Sequence, residues 1–239
     1  MNYILYDKTI KYFNNINHLE YLINKQNIKE IWVANSDLTK LPNLKEFINL
    51  KLLFCHNNKL KTIPILPINL THLFCGYNKL TQLPQLPINL HLLDCNNNKL
   101  IILPKLPINL SSLYCYNNLL LQLPILPTNL KKILCYNNEL IKLPKLPITL
   151  LELICYNNDL KQIPNLPSNL KIIRCKLNYI KQINKSIIHC KLSVYYRNYN
   201  KYKYINTLNK LLNYTIKNYY YYSIIKYYNK CCNYPTKIL

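Results

Sequence analysis

Residues 50–69 read LKLLFCHNNKLKTIPILPIN, and variants of this stretch follow one another to residue 184 with a step of 20. Cysteine marks the step most clearly, because it recurs in seven consecutive copies, at positions 55, 75, 95, 115, 135, 155 and 175. Self-similarity at a short fixed period is the signature of a solenoid, in which each unit packs against its neighbours. The repeat therefore predicts the architecture before local propensities are considered.

Other columns keep the same step, and the unit reads L-x-x-L-x-C-x-x-N-x-L-x-x-L-P-x-L-P-x-N. A looser copy occupies residues 28–44, 22 residues earlier. A degenerate copy follows after a step of 17, with Ile187, Cys190 and Leu192 in the strand columns. We therefore predict eight strands and a ninth, degenerate one.

The unit resembles the leucine-rich-repeat pattern L-x-x-L-x-L-x-x-N/C-x-L, with cysteine at the third leucine position. Its L-P-x-L-P segment is similar to the short repeat of secreted effectors from enteric bacteria. The composition is rich in Asn, Lys, Ile and Tyr, which AT-rich codons encode, and in this it is similar to giant-DNA-virus repeat proteins. Both resemblances imply a binding solenoid. Some such effectors carry a C-terminal ubiquitin-ligase domain with a catalytic cysteine, and residues 185–239 are too few for one.

The spacing predicts a leucine-rich-repeat solenoid with a parallel β-sheet on the concave face and helical caps at both ends. In L-x-x-L-x-C a short strand alternates inward and outward side chains, and successive strands stack about 4.8 Å apart. Two prolines three residues apart exclude an α-helix from the return, so the convex face is extended or polyproline-II. We expect an N-terminal helical cap over 1–27, the solenoid over 28–194 and a basic helical flank over 195–239.

Charge and composition set the expected compartment. The net charge is +22, distributed as +1 over residues 1–49, +11 over 50–184 and +10 over 185–239. Asp7 and Lys8 interrupt any apolar stretch of a secretory signal, and no hydrophobic run is long enough to cross a bilayer. We expect an intracellular protein, in the cytoplasm of a host cell, with its ten cysteines mostly reduced and no cofactor.

The regular columns are interpreted as structural. The cysteine column points inward, lacks the close pairs of a zinc site, and should pack as a small hydrophobe. The asparagine column, Asn58 and its equivalents, should bond turn backbone that has no strand partner, so that alanine there costs stability rather than binding.

Outward strand positions vary from copy to copy, and they form three columns that start at Leu52, Phe54 and His56. Aromatic residues exposed on a rigid curved sheet are typical of interface hot spots, and the alternative is that neighbouring side chains merely cover one another. We predict a surface that binds a protein partner, with Phe54, Phe74, Tyr114, Tyr116, Tyr136 and Tyr156 as anchors. The predicted site also includes Asp94, Leu134, Ile154 and Arg174.

Catalysis is not expected. The five histidines form no nucleophile, base and carboxylate arrangement and no metal-ligand spacing, and a chain with one glycine has no glycine-rich phosphate loop. His72 and Asp94 should be neighbours on an open sheet that would not exclude water.

The flanks leave two alternatives open. Residues 1–30 have apolar side chains at helical spacing, which predicts a cap and alternatively a docking helix for a ubiquitin-ligase adaptor. The chain would then be a substrate-recognition subunit. Residues 185–239 contain lysine and tyrosine without acidic residues, and they could bind nucleic acid through phosphate contacts and stacking. Coding bias explains the same composition.

Overall fold

A computed structural model of the chain describes residues 2–5, 10–13, 16–180 and 191–193, with side-chain surroundings for residues 19–180. The strands of these residues are β1 Asn2–Leu5, β2 Ile10–Phe13, β3 Glu30–Trp32, β4 Leu52–Phe54, β5 His72–Phe74, β6 Leu92–Asp94, β7 Ser112–Tyr114, β8 Lys132–Leu134, β9 Glu152–Ile154, β10 Ile172–Arg174 and β11 Lys191–Ser193. They form one sheet in the order β11-β10-β9-β8-β7-β6-β5-β4-β3-β1-β2.

Strands β3 to β11 run parallel, and from β4 to β10 each residue pairs with the one 20 positions on, as Leu53 does with Leu73. Hydrogen bonds between coils continue beyond the three-residue strands. The N–H of Cys55 donates to the carbonyl of Phe74 at 2.9 Å, and that of Asn57 to the carbonyl of Gly76 at 3.0 Å. The predicted stack of parallel strands is confirmed.

The core lies behind the sheet and consists of the inward columns. Leu53 and Cys55 are fully buried, and so are their equivalents in each coil up to Leu153 and Cys155. Burial raises the pKa of every ladder thiol, and that of Cys135 reaches about 12. The seven cysteines of this column, from Cys55 to Cys175, are therefore neutral packing groups, as interpreted from their position.

The return arcs contain no helix between residues 33 and 180, in agreement with the two prolines in each unit. A turn closes each arc before the next strand, with the N–H of Leu70 donating to the carbonyl of Pro67 at 3.1 Å. The side chain of Asn69 then reaches the previous coil and donates to the carbonyl of Ile48 at 2.9 Å.

The N-terminal cap differs from the predicted helix. Strands β1 and β2 form an antiparallel hairpin, β1 pairs antiparallel with β3, and two short 3-10 helices follow, η1 Ile16–Tyr21 and η2 Lys25–Asn27. A free edge of β3 would leave backbone N–H and C=O groups unpaired, and a strand supplies their partners whereas a helix cannot. Leu19 in η1 is still buried against the core.

The ninth strand is present as β11, but its register corrects the predicted step of 17. Leu192 pairs with Ile173, a step of 19, and not with Cys175. Backbone hydrogen bonds to β10 decide this register, because an apolar alternation repeats every two residues and fits both positions. Cys190 and the flank over 195–239 lie outside the described residues. Neither described helix is long and apolar enough to cross a membrane.

Candidate functional site

The outward residues of β4 to β10 and of the positions after them form three columns on the concave sheet. The 54 column contains Phe54, Phe74, Asp94, Tyr114, Leu134, Ile154 and Arg174. The 52 column contains Leu52, His72, Leu92, Ser112, Lys132, Glu152 and Ile172. The 56 column contains His56, Gly76, Asn96, Tyr116, Tyr136, Tyr156 and Lys176. Strand pairing brings the members of each column into register, so the predicted site residues lie on one face.

The first half of the 54 column is a stack of aromatic rings. The ring centroids of Trp32 and Phe54 are 3.6 Å apart, and those of Phe54 and Phe74 are 4.3 Å apart with the planes 6° from parallel. Flat rings on strands about 4.8 Å apart meet face to face. Trp32 is not among the predicted site residues, although the 22-residue step of the first copy already places it in this column.

The second half of the 56 column is a tyrosine stack. Ring centroids are 4.3 Å apart for Tyr116 and Tyr136, and 4.4 Å apart for Tyr136 and Tyr156. Burial raises the pKa of all three phenols, far above the ordinary value for the first two and to about 12 for Tyr156. The stack is therefore uncharged at any physiological pH.

A polar cluster of Asp94 and Asn96 lies in the coil between the two aromatic stacks. Asp94 is 2% exposed, and its carboxylate accepts hydrogen bonds from the amide Nδ2 and the backbone N–H of Asn96. Desolvation raises the pKa of Asp94 to about 7, and the hydrogen bonds from Asn96 oppose this shift without cancelling it. The carboxyl group is covered by its neighbours and is not presented to solvent.

Gly76 makes room for this cluster. A Cβ atom at residue 76 would lie 2.9 Å from Nδ2 of Asn96 and 3.0 Å from its Cγ, closer than packed side chains approach. The one glycine of the chain therefore stands where the side chain of the next coil lies against its backbone.

Gly76→Ala should lower the free energy of unfolding by about 1–3 kcal/mol, because the added methyl group displaces Asn96 from Asp94. Urea denaturation followed by circular dichroism measures this. In an Asn96→Ala background the same substitution should cost less than half as much, since the clashing side chain is gone. An equal cost in both backgrounds would show that the contact with Asn96 is not the cause.

The expectation of exposed aromatic anchors is wrong for four of the six. Exposure is 2% for Phe54, 3% for Phe74, 4% for Tyr116 and 5% for Tyr136, because stacked rings cover one another's faces. Asp94 and Ile154 are also buried. The half-buried members of the predicted set are Tyr114, Tyr156, Leu134 and Arg174.

The 52 column adds polar groups that sequence reasoning did not select. The ammonium of Lys132 is 3.0 Å from a carboxylate oxygen of Glu152. Half-buried His72 lies beside Phe74, with ring centroids 6.4 Å apart, and desolvation lowers its pKa to about 4. The sequence does place Lys132, Glu152 and His72 in the outward column next to the 54 column, and this position could have indicated them as site residues. The accessible sheet thus combines aromatic edges, aliphatic groups and a few charges.

A second asparagine ladder runs along the turns beside the buried one. Residues of the 57 column adopt positive φ, near 53° in Asn57, and asparagine tolerates this conformation better than most residues. The side chain of Asn157 donates to that of Asn137 at 3.0 Å, and that of Asn117 to Asn97 at 2.9 Å. In most copies of the unit an asparagine directly precedes the buried one, as Asn57 precedes Asn58, and this pair was the signal for these turns.

Comparison with known proteins supports the predicted fold. No family model and no curated protein matches the chain. YopM from Yersinia enterocolitica WA-314 is 35% identical over 64% of this chain and 34% of its own length, with a TM-score of 0.63. YopM from Yersinia pestis, described as a leucine-rich effector protein, is 34% identical over 70% of this chain and 46% of its own, with a TM-score of 0.62. A Shigella effector domain is 28% identical over 70% of this chain and 68% of its own, with a TM-score of 0.50.

The chain spans less than half the length of the two YopM structures. The resemblance to bacterial effector repeats is confirmed by these structures, whereas the resemblance to viral repeat proteins stays a prediction.

Proposed function

The chain is a leucine-rich-repeat protein, and from this premise we propose that it is a non-enzymatic module that binds a protein partner through its concave sheet. One observation carries the proposal: the inward columns repeat leucine and cysteine almost without change, while each outward column contains aromatic, aliphatic or small, and polar or charged residues. Core packing determines the inward residues and leaves the outward ones free to match a partner.

The outward surface is also stiff. The ring of Tyr156 stacks on that of Tyr136, and inter-coil hydrogen bonds fix the backbones of Tyr114 and Tyr156. A preorganised surface loses little conformational entropy on binding, which favours affinity. The eight parallel strands β3 to β10, spaced about 4.8 Å apart, give a sheet long enough for an interface of ordinary size.

The comparisons support a macromolecular partner, since two of the matching structures are described as effectors. We infer that this chain acts on a protein of the cell in which it resides, in the cytoplasm. Its half-buried Leu134, Tyr114 and Arg174 supply an aliphatic, an aromatic and a cationic contact within four adjacent coils.

Site-specific photocrosslinking in extract from cells that naturally contain the protein tests the proposal. A crosslinking residue in place of half-buried Leu134 should capture a defined protein, and one in place of Ile65, which is 75% exposed on the return arc, should not capture it. With that protein purified, Tyr114→Ala and Arg174→Ala should each weaken binding at least about tenfold. The matched control Ile65→Ala should leave the dissociation constant unchanged.

Equal crosslinking from both positions, or unchanged affinity of both concave variants with circular dichroism spectra like wild type, would remove the concave sheet as the binding surface.

A further inference from the structure

A second surface lies on the flank of the solenoid, where the chain leaves each strand and turns into the return arc. Its main line, called here the flank column, consists of the residues that follow the buried asparagines: Lys59, Lys79, Lys99, Leu119, Glu139, Asp159 and Tyr179. Their backbones are fixed between coils. The N–H of Lys99 donates to the carbonyl of Leu80 at 2.8 Å, and that of Glu139 to the carbonyl of Leu120 at 3.0 Å.

The flank column is ordered by charge. Lysines occupy its first three positions, a leucine its centre and two acidic residues the next two. Lys59 pairs with Asp37 at 2.8 Å. Within residues 19–180, no ion-pair partner is found for Lys79, Lys99, Glu139 or Asp159. Like charges on adjacent coils, about 5 Å apart, repel one another, and a partner of opposite order would relieve this repulsion.

An apolar patch occupies the middle of the same flank. Leu119, in the flank column, is 44% exposed, and the next residue, Leu120, is buried. The position after that one is apolar in three adjacent coils, and its residues Ile101, Leu121 and Ile141 are each about half exposed. The same position is polar on both sides, with Lys61 and Thr81 before and Lys161 after. The repeat therefore does not require these apolar side chains, and they are confined to the centre of the charge order.

This arrangement is complementary to itself. A two-fold axis through the coil of Leu119 and Leu121 would turn a second copy so that its coils run in the opposite order. Lys99 would then face the second copy's Glu139, Lys79 its Asp159, and Ile101 its Ile141. In an isologous interface each contact occurs twice, as this pattern requires.

We propose that two copies of this chain associate through the flank, as an isologous dimer centred on Leu119 and Leu121. The order of charges favours a second copy over an unrelated partner, because the flank column contains both the lysines and the acidic residues that would pair. Several exposed aliphatic side chains provide an apolar centre within a charged rim, the usual arrangement of an interface. The dimer leaves both concave sheets open, so the proposal is independent of the function proposed above.

Sedimentation velocity of the full chain with a reducing agent, at concentrations up to about 0.5 mM, tests the dimer. Wild type should pass from monomer to dimer as concentration rises. Leu121→Glu brings two carboxylates together at the axis and should raise the dissociation constant at least about tenfold. The matched control Ile88→Glu, at a 59% exposed site on the return arc, should leave it unchanged.

Charge reversal makes the test specific to the proposed pairing. Lys79→Glu with Lys99→Glu makes the four positions all acidic, and Glu139→Lys with Asp159→Lys makes them all basic. Each double variant alone should be monomeric, whereas an equimolar mixture should form a heterodimer. A quadruple variant with all four reversals should dimerise like wild type, because its charge order is inverted and still self-complementary.

Circular dichroism establishes that each variant is folded. A wild-type monomer throughout the concentration series would overturn the proposal. Folded double variants that fail to associate when mixed, or an equal effect of Leu121→Glu and Ile88→Glu, would also overturn it. None of these results bears on the concave sheet.

Discussion

Replacing Asn138 with alanine should lower the free energy of unfolding by about 3–4 kcal/mol. The amide Nδ2 of Asn138 donates to the carbonyls of Cys115, Cys135 and Tyr136 at 3.1, 3.1 and 3.3 Å, and its Oδ1 accepts the N–H of Leu120 at 3.0 Å. One side chain thus serves four backbone groups from two coils. Alanine would leave these groups in the interior without a partner, which costs more than the loss of one hydrogen bond.

The adjacent Asn137 provides a matched control. Its φ is 54°, which glycine adopts without strain, and its side chain bonds a neighbouring asparagine at the surface of the turn. Asn137→Gly should therefore cost less than about 1 kcal/mol. Urea denaturation of both variants, followed by circular dichroism, measures the difference. Similar costs for the two substitutions would contradict the structural role of the buried ladder.

Asp94→Asn should stabilise the protein at pH 8 by up to about 4 kcal/mol. Burial without a cation raises the pKa of this carboxyl from 3.8 to about 7, so above pH 7 the folded protein contains a desolvated negative charge. Asparagine removes the charge and keeps an oxygen that can accept the hydrogen bonds from Asn96.

The gain from Asp94→Asn depends on pH in a defined direction. Below about pH 4, Asp94 is protonated in both the folded and the unfolded chain, and the substitution should change little. Between about pH 4 and pH 7, only the folded chain retains the proton, so wild-type stability falls as pH rises. Above that range the penalty is complete, and the advantage of asparagine reaches its maximum.

Thermal and urea unfolding of wild type and Asp94→Asn across pH 4 to 8 measure this dependence. Glu20→Gln removes one negative charge from an exposed position and controls for the change in net charge. A constant difference between Asp94→Asn and wild type across the pH range would show that Asp94 is ionised in both states and not desolvated as the structure places it.

The sequence alone predicted the strands, their parallel order and the composition of the core. Leu53, Cys55 and Asn58 recur every 20 residues, and one repeat unit has one way to bury them against the next. The prediction did less well at the ends. The strand β1 that covers the first edge, and the register of β11, depend on backbone pairing with a neighbour and not on side-chain periodicity.

The sequence correctly predicted which residues face outward on the concave sheet, but it did not predict which of them are exposed to solvent. Alternation in the strand places Phe54 and Tyr136 on the outward face, and this follows from sequence. Whether an outward ring is accessible depends on the side chain 20 residues away, and here that neighbour is another ring at 4.3 Å. The flank was not predicted as a surface, because its residues lie beyond the strands, where strand alternation does not indicate which side chains are exposed.

For this protein, then, the repeat by itself determined the fold, because a fixed period forces the same inward side chains into every coil. Only the tertiary structure decided which outward side chains stay accessible, since a side chain is covered by neighbours that belong to other coils, about 20 residues away in the chain. It placed the uncharged aromatic stacks on either side of Asp94, and it aligned Lys99, Leu119 and Glu139 into one line. Packing between coils therefore sets what remains accessible for binding.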